Sequence, residues 1–232
     1  MPTVIESALN QPFDAAIEFF RKKLQLGTTS WLDIWEEAHS EAFVVSGAMQ
    51  KDLLADLYAA IDKAIKDGTT LSDFRKSFAD TVARNGWEYY GTMAWRTALI
   101  YNTNLSMAYH TGHYQAMLDP EVLDARPYWR YVESSSRRQR PEHLRWVGTV
   151  LPATDPWWNT HAPPNGWNCR CGVVSMSARE VEILGNKYPD VIKTLAPPIR
   201  YYDWKNPKTG EIIKVPDGID PGWAYHPGLK RR

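Results

Sequence analysis

The segment APPNGWNCRCG, Ala162 to Gly172, holds both cysteines of the chain, one residue apart, behind two prolines and an Asn-Gly turn signal. In extended backbone, residues i and i+2 share a face, so Cys169 and Cys171 would turn both sulfurs to one point. A disulfide between them is disfavoured, because a strand holds their Cα atoms about 7 Å apart, at the edge of what the bond tolerates. Two thiolates facing one way suit a borderline cation, and zinc is the commonest such ion in a reducing compartment. Zinc takes four ligands. His143 and His161 lie upstream in the same loop-rich stretch, and Asp155 is a further donor. The spacing H-x17-H-x7-C-x-C matches no standard zinc finger, so the competing reading is two small buried thiols beside ordinarily bonded histidines.

Two cysteines cannot frame a disulfide scaffold, and no apolar run reaches the roughly 20 residues of a membrane helix. The N-terminus has no basic segment followed by an apolar core, so no secretory signal is expected. These features predict a soluble protein folded in a reducing cytoplasm. The 232 residues carry 27 basic and 27 acidic side chains, yet the balance is uneven: −7 over residues 1–125 (10 against 17) and +7 over 126–232 (17 against 10). Opposite signs suggest two modules. Eleven tryptophans would suit a Trp-rich core or large contact surfaces.

The first half reads helical, with apolar residues at three- and four-residue spacing. Helices are expected over DAAIEFFRKKL, over WLDIWEEAHSEAF with Ser30 as N-cap, and over MQKDLLADLYAAIDKAI up to Gly68. Two more are expected: one with Leu71, Phe74, Phe78 and Val82 on a face, and a long one from about Thr92 to Met117. After Pro127 the period shifts. YWRYVES alternates as a strand, CRCGVVSMS reads as a second, and Ser177 with Glu180 forms a capping box opening a helix. IRYYDW, KNPKTG and EIIKV spell a hairpin before a Gly/Pro-rich tail. The expected fold class is α+β: a helical domain over 1–125, then a small loop-rich α/β module over 126–232 with a zinc site.

RRQRPEHLRWVGTV, DPWWNTHAPPNGWNCRCGVVSMS and DGIDPGWAYHPG, in that order, resemble the Mu F-like minor head protein family of tailed phages, the phage head morphogenesis proteins. The positions that carry the likeness are Arg140, His143, Gly148, Asp155, Trp157, Trp158, Pro163, Pro164, Cys169, Arg170, Cys171, Pro221, Gly222 and Trp223. The likeness covers roughly residues 50–230. Some relatives have a histidine just before Cys-Arg-Cys, where this chain has Asn165-Gly166-Trp167, so the fourth ligand stays open between His161 and Asp155. The resemblance implies a minor structural protein of the virion, inside the capsid at the portal vertex and in host cytoplasm during assembly. It would act in capsid morphogenesis and in DNA packaging or ejection, with portal, capsid and scaffold proteins as partners and no membrane.

Catalytic signatures such as His-Glu-x-x-His or Gly-x-Ser-x-Gly are absent from the sequence, so no enzyme is expected. The alternative is a DNA-binding or metal-dependent DNA-processing protein of the head interior. Arg137, Arg138, Arg140 and Arg145 cluster in SSSRRQRPEHLR and could contact phosphates of phage DNA without sequence preference. They could equally pair with the acidic N-terminal half, whose balance is −7.

Overall fold

The computed structural model describes residues 13–133 and 139–229. Its described residues form two compact units: residues up to Asp33 with Glu41–His113, and Ile34–Ser40 with Tyr114 onward. The short segment Ile34–Ser40 belongs with the C-terminal unit.

The first unit is built on helices whose apolar periodicity is visible in the sequence. Helix α1 (Asp14–Arg21) buries Ala16, Ile17, Phe19 and Phe20. Leu24–Gln25 (β1) pairs in parallel with Ala42–Phe43 (β2), while Ala38–Glu41 (α2) makes a single helical turn between them. Helix α3 (Lys51–Asp67) buries Leu53, Leu54, Leu57, Ile61, Ala64 and Ile65, one stripe at i, i+3 and i+4 spacing. It stops at Gly68, whose left-handed φ of +68° lets its N–H reach Ala64 O. Helix α4 (Leu71–Asn85) starts on Thr70, whose side chain accepts from Asp73 N. Helix α5 spans Met93–Met117, and its residues to His113 belong to this unit. Phe20, Phe43, Leu57, Phe74 and Phe78 anchor the core, each worth about 1.5–3 kcal/mol of burial.

One expected helix is broken. Over 31–43 the chain makes a 3₁₀ turn at Trp31–Asp33, then α2, then β2. The Asp33 carboxylate turns back to accept from Thr29 N, Thr29 Oγ1 and Ser30 N, and Glu36 sits at φ +46°. A side chain competing for backbone donors and a left-handed residue both interrupt a helical ladder. The released segment turns Trp35 onto Trp204 and His39 onto Trp223 within the second unit.

The second unit centres on a three-stranded antiparallel sheet of order β4-β3-β5, with β3 at Tyr128–Val132, β4 at Val150–Pro152 and β5 at Gly172–Met176. Alternation buries Trp129 and Tyr131 and leaves Tyr128, Arg130 and Val132 half-buried. Short helices α6 (Pro120–Ala125), α7 (Pro141–Leu144) and α8 (Trp158–His161) and the longer α9 (Ala178–Lys187) surround it. Ser177 and Glu180 complete the capping box of α9. The hairpin is present as β6 (Tyr201–Lys205) and β7 (Ile212–Pro216), in register from Tyr201↔Pro216 to Lys205↔Ile212.

Tryptophan serves mostly as core. Trp129, Trp146, Trp157, Trp158 and Trp223 are all buried in this unit, while Trp31 and Trp95 of the first unit stay exposed. No helix among the described residues is long and apolar enough to cross a membrane.

Candidate metal centre

Pro141 occupies the first position of α7, where its missing N–H costs no hydrogen bond, and the single turn that follows carries His143 inward. The imidazole is buried and stacks on Trp146 at 5.0 Å. Its Nε2 lies 2.8 Å from Gly218 O. A carbonyl only accepts, so Nε2 carries the hydrogen and Nδ1 presents a lone pair. That lone pair faces Cys169 Sγ at 3.7 Å and Cys171 Sγ at 3.6 Å.

The cysteines sit just before β5, in irregular backbone, and not on the strand itself as expected. Asn168 is left-handed at φ +58° and Cys169 N bonds to Gly166 O, a turn that replaces simple alternation as the cause of convergence. The three donor atoms lie within 4.8 Å of one another, and no other such His/Cys/Asp/Glu group occurs among the described residues.

The donor set fits zinc. Bond lengths of about 2.3 Å to sulfur and 2.0–2.1 Å to nitrogen, at a tetrahedral angle, separate S from N by about 3.5 Å. Both S–N distances come within a few tenths of that value. One lone pair can accept only one thiol hydrogen, yet Nδ1 stands almost equally far from two sulfurs, as it would around a shared cation. The Nε2–H to carbonyl bond is the outer-shell contact that orients a metal-binding imidazole.

Backbone N–H groups of Asn165 and Cys171 point at the Cys169 sulfur. The hydrogen bond with Cys171, then burial, pushes the Cys169 thiol up, while the same bond pulls Cys171 down to about 5, helped by His143 and Tyr131.

His161 and Asp155 are not part of the three-residue group. His161 stacks on Trp157 at 4.5 Å, meets Trp146 edge-on and shares a hydrogen bond of 2.8 Å with Thr160 Oγ1. Asp155 Oδ1 accepts from Trp157 N at 2.9 Å, which places its carboxylate in the turn that opens α8. Neither expected fourth ligand is therefore brought to the sulfurs.

The arginines divide similarly. Arg137 and Arg138 lie outside the described residues. Arg140 is committed to a fork on Asp220, at 2.7 and 2.9 Å, with a third bond to Trp167 O at 3.0 Å. Asp220 also accepts from Trp167 N, and its own N–H reaches Asn165 O. These bonds tie the start of α7, the loop before the cysteines and the late Asp-Pro-Gly segment into one frame. A Cβ at Gly166 would collide with both members of the ion pair. Arg145 makes a longer, exposed contact of 3.4 Å with Asp217. The sequence reading missed Tyr131, Asn165, Gly218 and Asp220; the inward phase of β3 and the place of Asp220 beside Pro221-Gly222 were the available signals.

Asp220→Asn should cost about 2 kcal/mol in denaturant unfolding, because it leaves a half-buried guanidinium without its counter-charge. A loss below about 0.5 kcal/mol would mark the fork as a surface pair.

A pH effect follows from His226. It lies between Tyr114 and Trp129, accepts from Gly228 N, and is held neutral by burial, which lowers its pKa to about 4. In the unfolded chain it protonates near 6.5. Between pH 6.5 and 4 the unfolded state therefore binds the extra proton, so stability is full above 6.5 and falls on acidification, by up to about 1.4 kcal/mol per pH unit. Melts at pH 7.5 and 5 should show the loss, and His226→Phe should make the acid slope shallower.

Comparison with known proteins gives one family model, described as "Phage Mu protein F like protein", matching residues 55–174. The chain is 32% identical over 246 residues to the capsid assembly protein F of Escherichia phage Mu, covering 95% of this chain and 55% of that protein. It is 34% identical over 170 residues to the Mu-like prophage FluMu F protein of Haemophilus influenzae, covering 69% and 41%. The chain thus spans about half the length of these relatives. No solved structure matches it.

Proposed function

The chain belongs to the phage Mu protein F like family, and from that premise we propose that it is a structural protein of phage head morphogenesis whose C-terminal unit is stapled by one zinc ion. It is a minor component of the capsid interior at the portal vertex, built in from the host cytoplasm with portal, capsid and scaffold proteins. It acts as a part of the assembly and not as a catalyst. The observation that carries the role is the family match across residues 55–174, which includes all three grouped donors, His143, Cys169 and Cys171. Two relatives matched along most of this chain bear F-protein names, and one is named for capsid assembly.

Zinc, when bound, supplies a tetrahedral cross-link between segments far apart in sequence. The residues do the rest. Gly218 holds the His143 ring so that Nδ1 faces the sulfurs, and the Arg140–Asp220 fork keeps the tail segment that carries Gly218 in place. Stapling suits a unit made of short strands and one-turn helices, whose loops bury little surface of their own. Contact with DNA, if made at packaging or ejection, falls to residues other than Arg140, which is spoken for.

The role is tested by deleting the coding sequence in its phage and imaging the lysate. Failure to form DNA-filled heads, restored by the wild-type chain supplied in trans, is the expected result. Normal yields of filled heads would contradict it.

A further inference from the structure

The described residues bring three protein donors together, whereas a closed zinc site has four. Asn165 stands beside that group and is completely buried. Its backbone N–H bonds to the Cys169 sulfur. Its Oδ1 accepts from Tyr131 Oη at 3.0 Å, and the same hydroxyl contacts the Cys171 sulfur. Its remaining polar atom, Nδ2, is buried without a hydrogen-bond partner. A buried amide donor left without an acceptor is costly, and native structures satisfy nearly all such groups. Its other polar atoms are engaged: Oδ1 with Tyr131, the backbone N–H with the Cys169 sulfur and the carbonyl with Asp220 N.

Among the described residues, the two expected alternatives are already occupied. His161 is held between two indoles and by Thr160, and Asp155 by the turn that opens α8. We infer that the fourth position of the metal is taken by a small hydrogen-bond acceptor from outside the chain, a solvent molecule or a small anion, and that Asn165 Nδ2 is the donor that holds it. This rests on the metal reading given above. It leaves the three protein donors as the staple, gives the metal one open, exchangeable position, and gives the orphaned amide its acceptor.

The test uses the full chain loaded with cobalt(II), whose visible d–d bands report ligand exchange, and titrates it with azide. The bands should shift saturably with azide. Adding chloride to chloride-free buffer moves the bands if the resident ligand is an anion and leaves them if it is solvent; either result fits. Asn165→Asp, nearly the same size but carrying a negative charge, should bind cobalt and lose at least about tenfold in azide affinity. Bands indifferent to saturating azide would overturn the open position. An azide response that Asn165→Asp leaves unchanged would overturn the role of Asn165, and Asn165→Ser gives the same reading if the aspartate variant does not fold. A chain that takes up no cobalt at all would refute the metal reading itself, a distinct failure.

Discussion

Cys171→Ser is expected to strip the metal and cost the second unit most of its cooperative structure. Structural zinc sites contribute on the order of 10 kcal/mol or more of apparent binding energy to folding, which matches or exceeds the 5–15 kcal/mol stability of a typical domain. The His143 imidazole, buried 3.6 Å from the Cys171 sulfur, would lose with the ion the only role its Nδ1 lone pair has in the site. Near-ultraviolet circular dichroism reads the outcome, because five buried tryptophans belong to this unit: Trp129, Trp146, Trp157, Trp158 and Trp223. Their signal should collapse while the helical far-ultraviolet signal largely persists. A variant that melts like wild type, with its aromatic spectrum intact, would reduce the cysteines to small buried side chains.

The second large effect is expected at Trp129, the fully buried centre of β3. Its ring contacts Trp158 at 5.8 Å, Tyr114 at 5.6 Å and His226 at 5.6 Å, so truncation empties the middle of the sheet's inner face. Trp129→Ala should cost about 3–5 kcal/mol in denaturant unfolding. Trp95, 45% exposed on the first unit, is the internal control. Trp95→Ala should change stability by less than about 0.5 kcal/mol. Equal losses at the two positions would mean that burial does not govern the tryptophans' contributions.

The sequence made the helices of the first unit legible where local signals agreed. In α3 and α4 an apolar stripe ends on a glycine that adopts the left-handed conformation, so periodicity and stop signal coincide. The segment 31–43 had the stripe as well, but Asp33 captured three donors and Glu36 turned left-handed, choices that a periodicity count does not register. The hairpin and the capping box were readable because their residues act on near neighbours.

At the candidate centre the same rule holds. Two cysteines and a histidine were identifiable as donors by residue type, although the turn at Asn168, not strand alternation, is what brings the sulfurs together. Asp155 and His161 were plausible by type and proximity in sequence, yet one belongs to a helix-opening turn and the other to an indole stack. Gly218 O and Asp220 come from 75 and 80 residues beyond their partners His143 and Arg140, and no local pattern encodes such pairings. Arg140 looked like a phosphate contact because neighbouring arginines surround it in sequence; its guanidinium found a carboxylate within the fold first.

The most direct measurement is the metal content of the full chain, purified without a histidine tag and without added zinc, read by inductively coupled plasma mass spectrometry against protein concentration. About one zinc per chain is expected, with removal by a strong chelator accompanied by loss of the near-ultraviolet tryptophan signal. A folded, cooperatively melting chain that carries essentially no metal would contradict it.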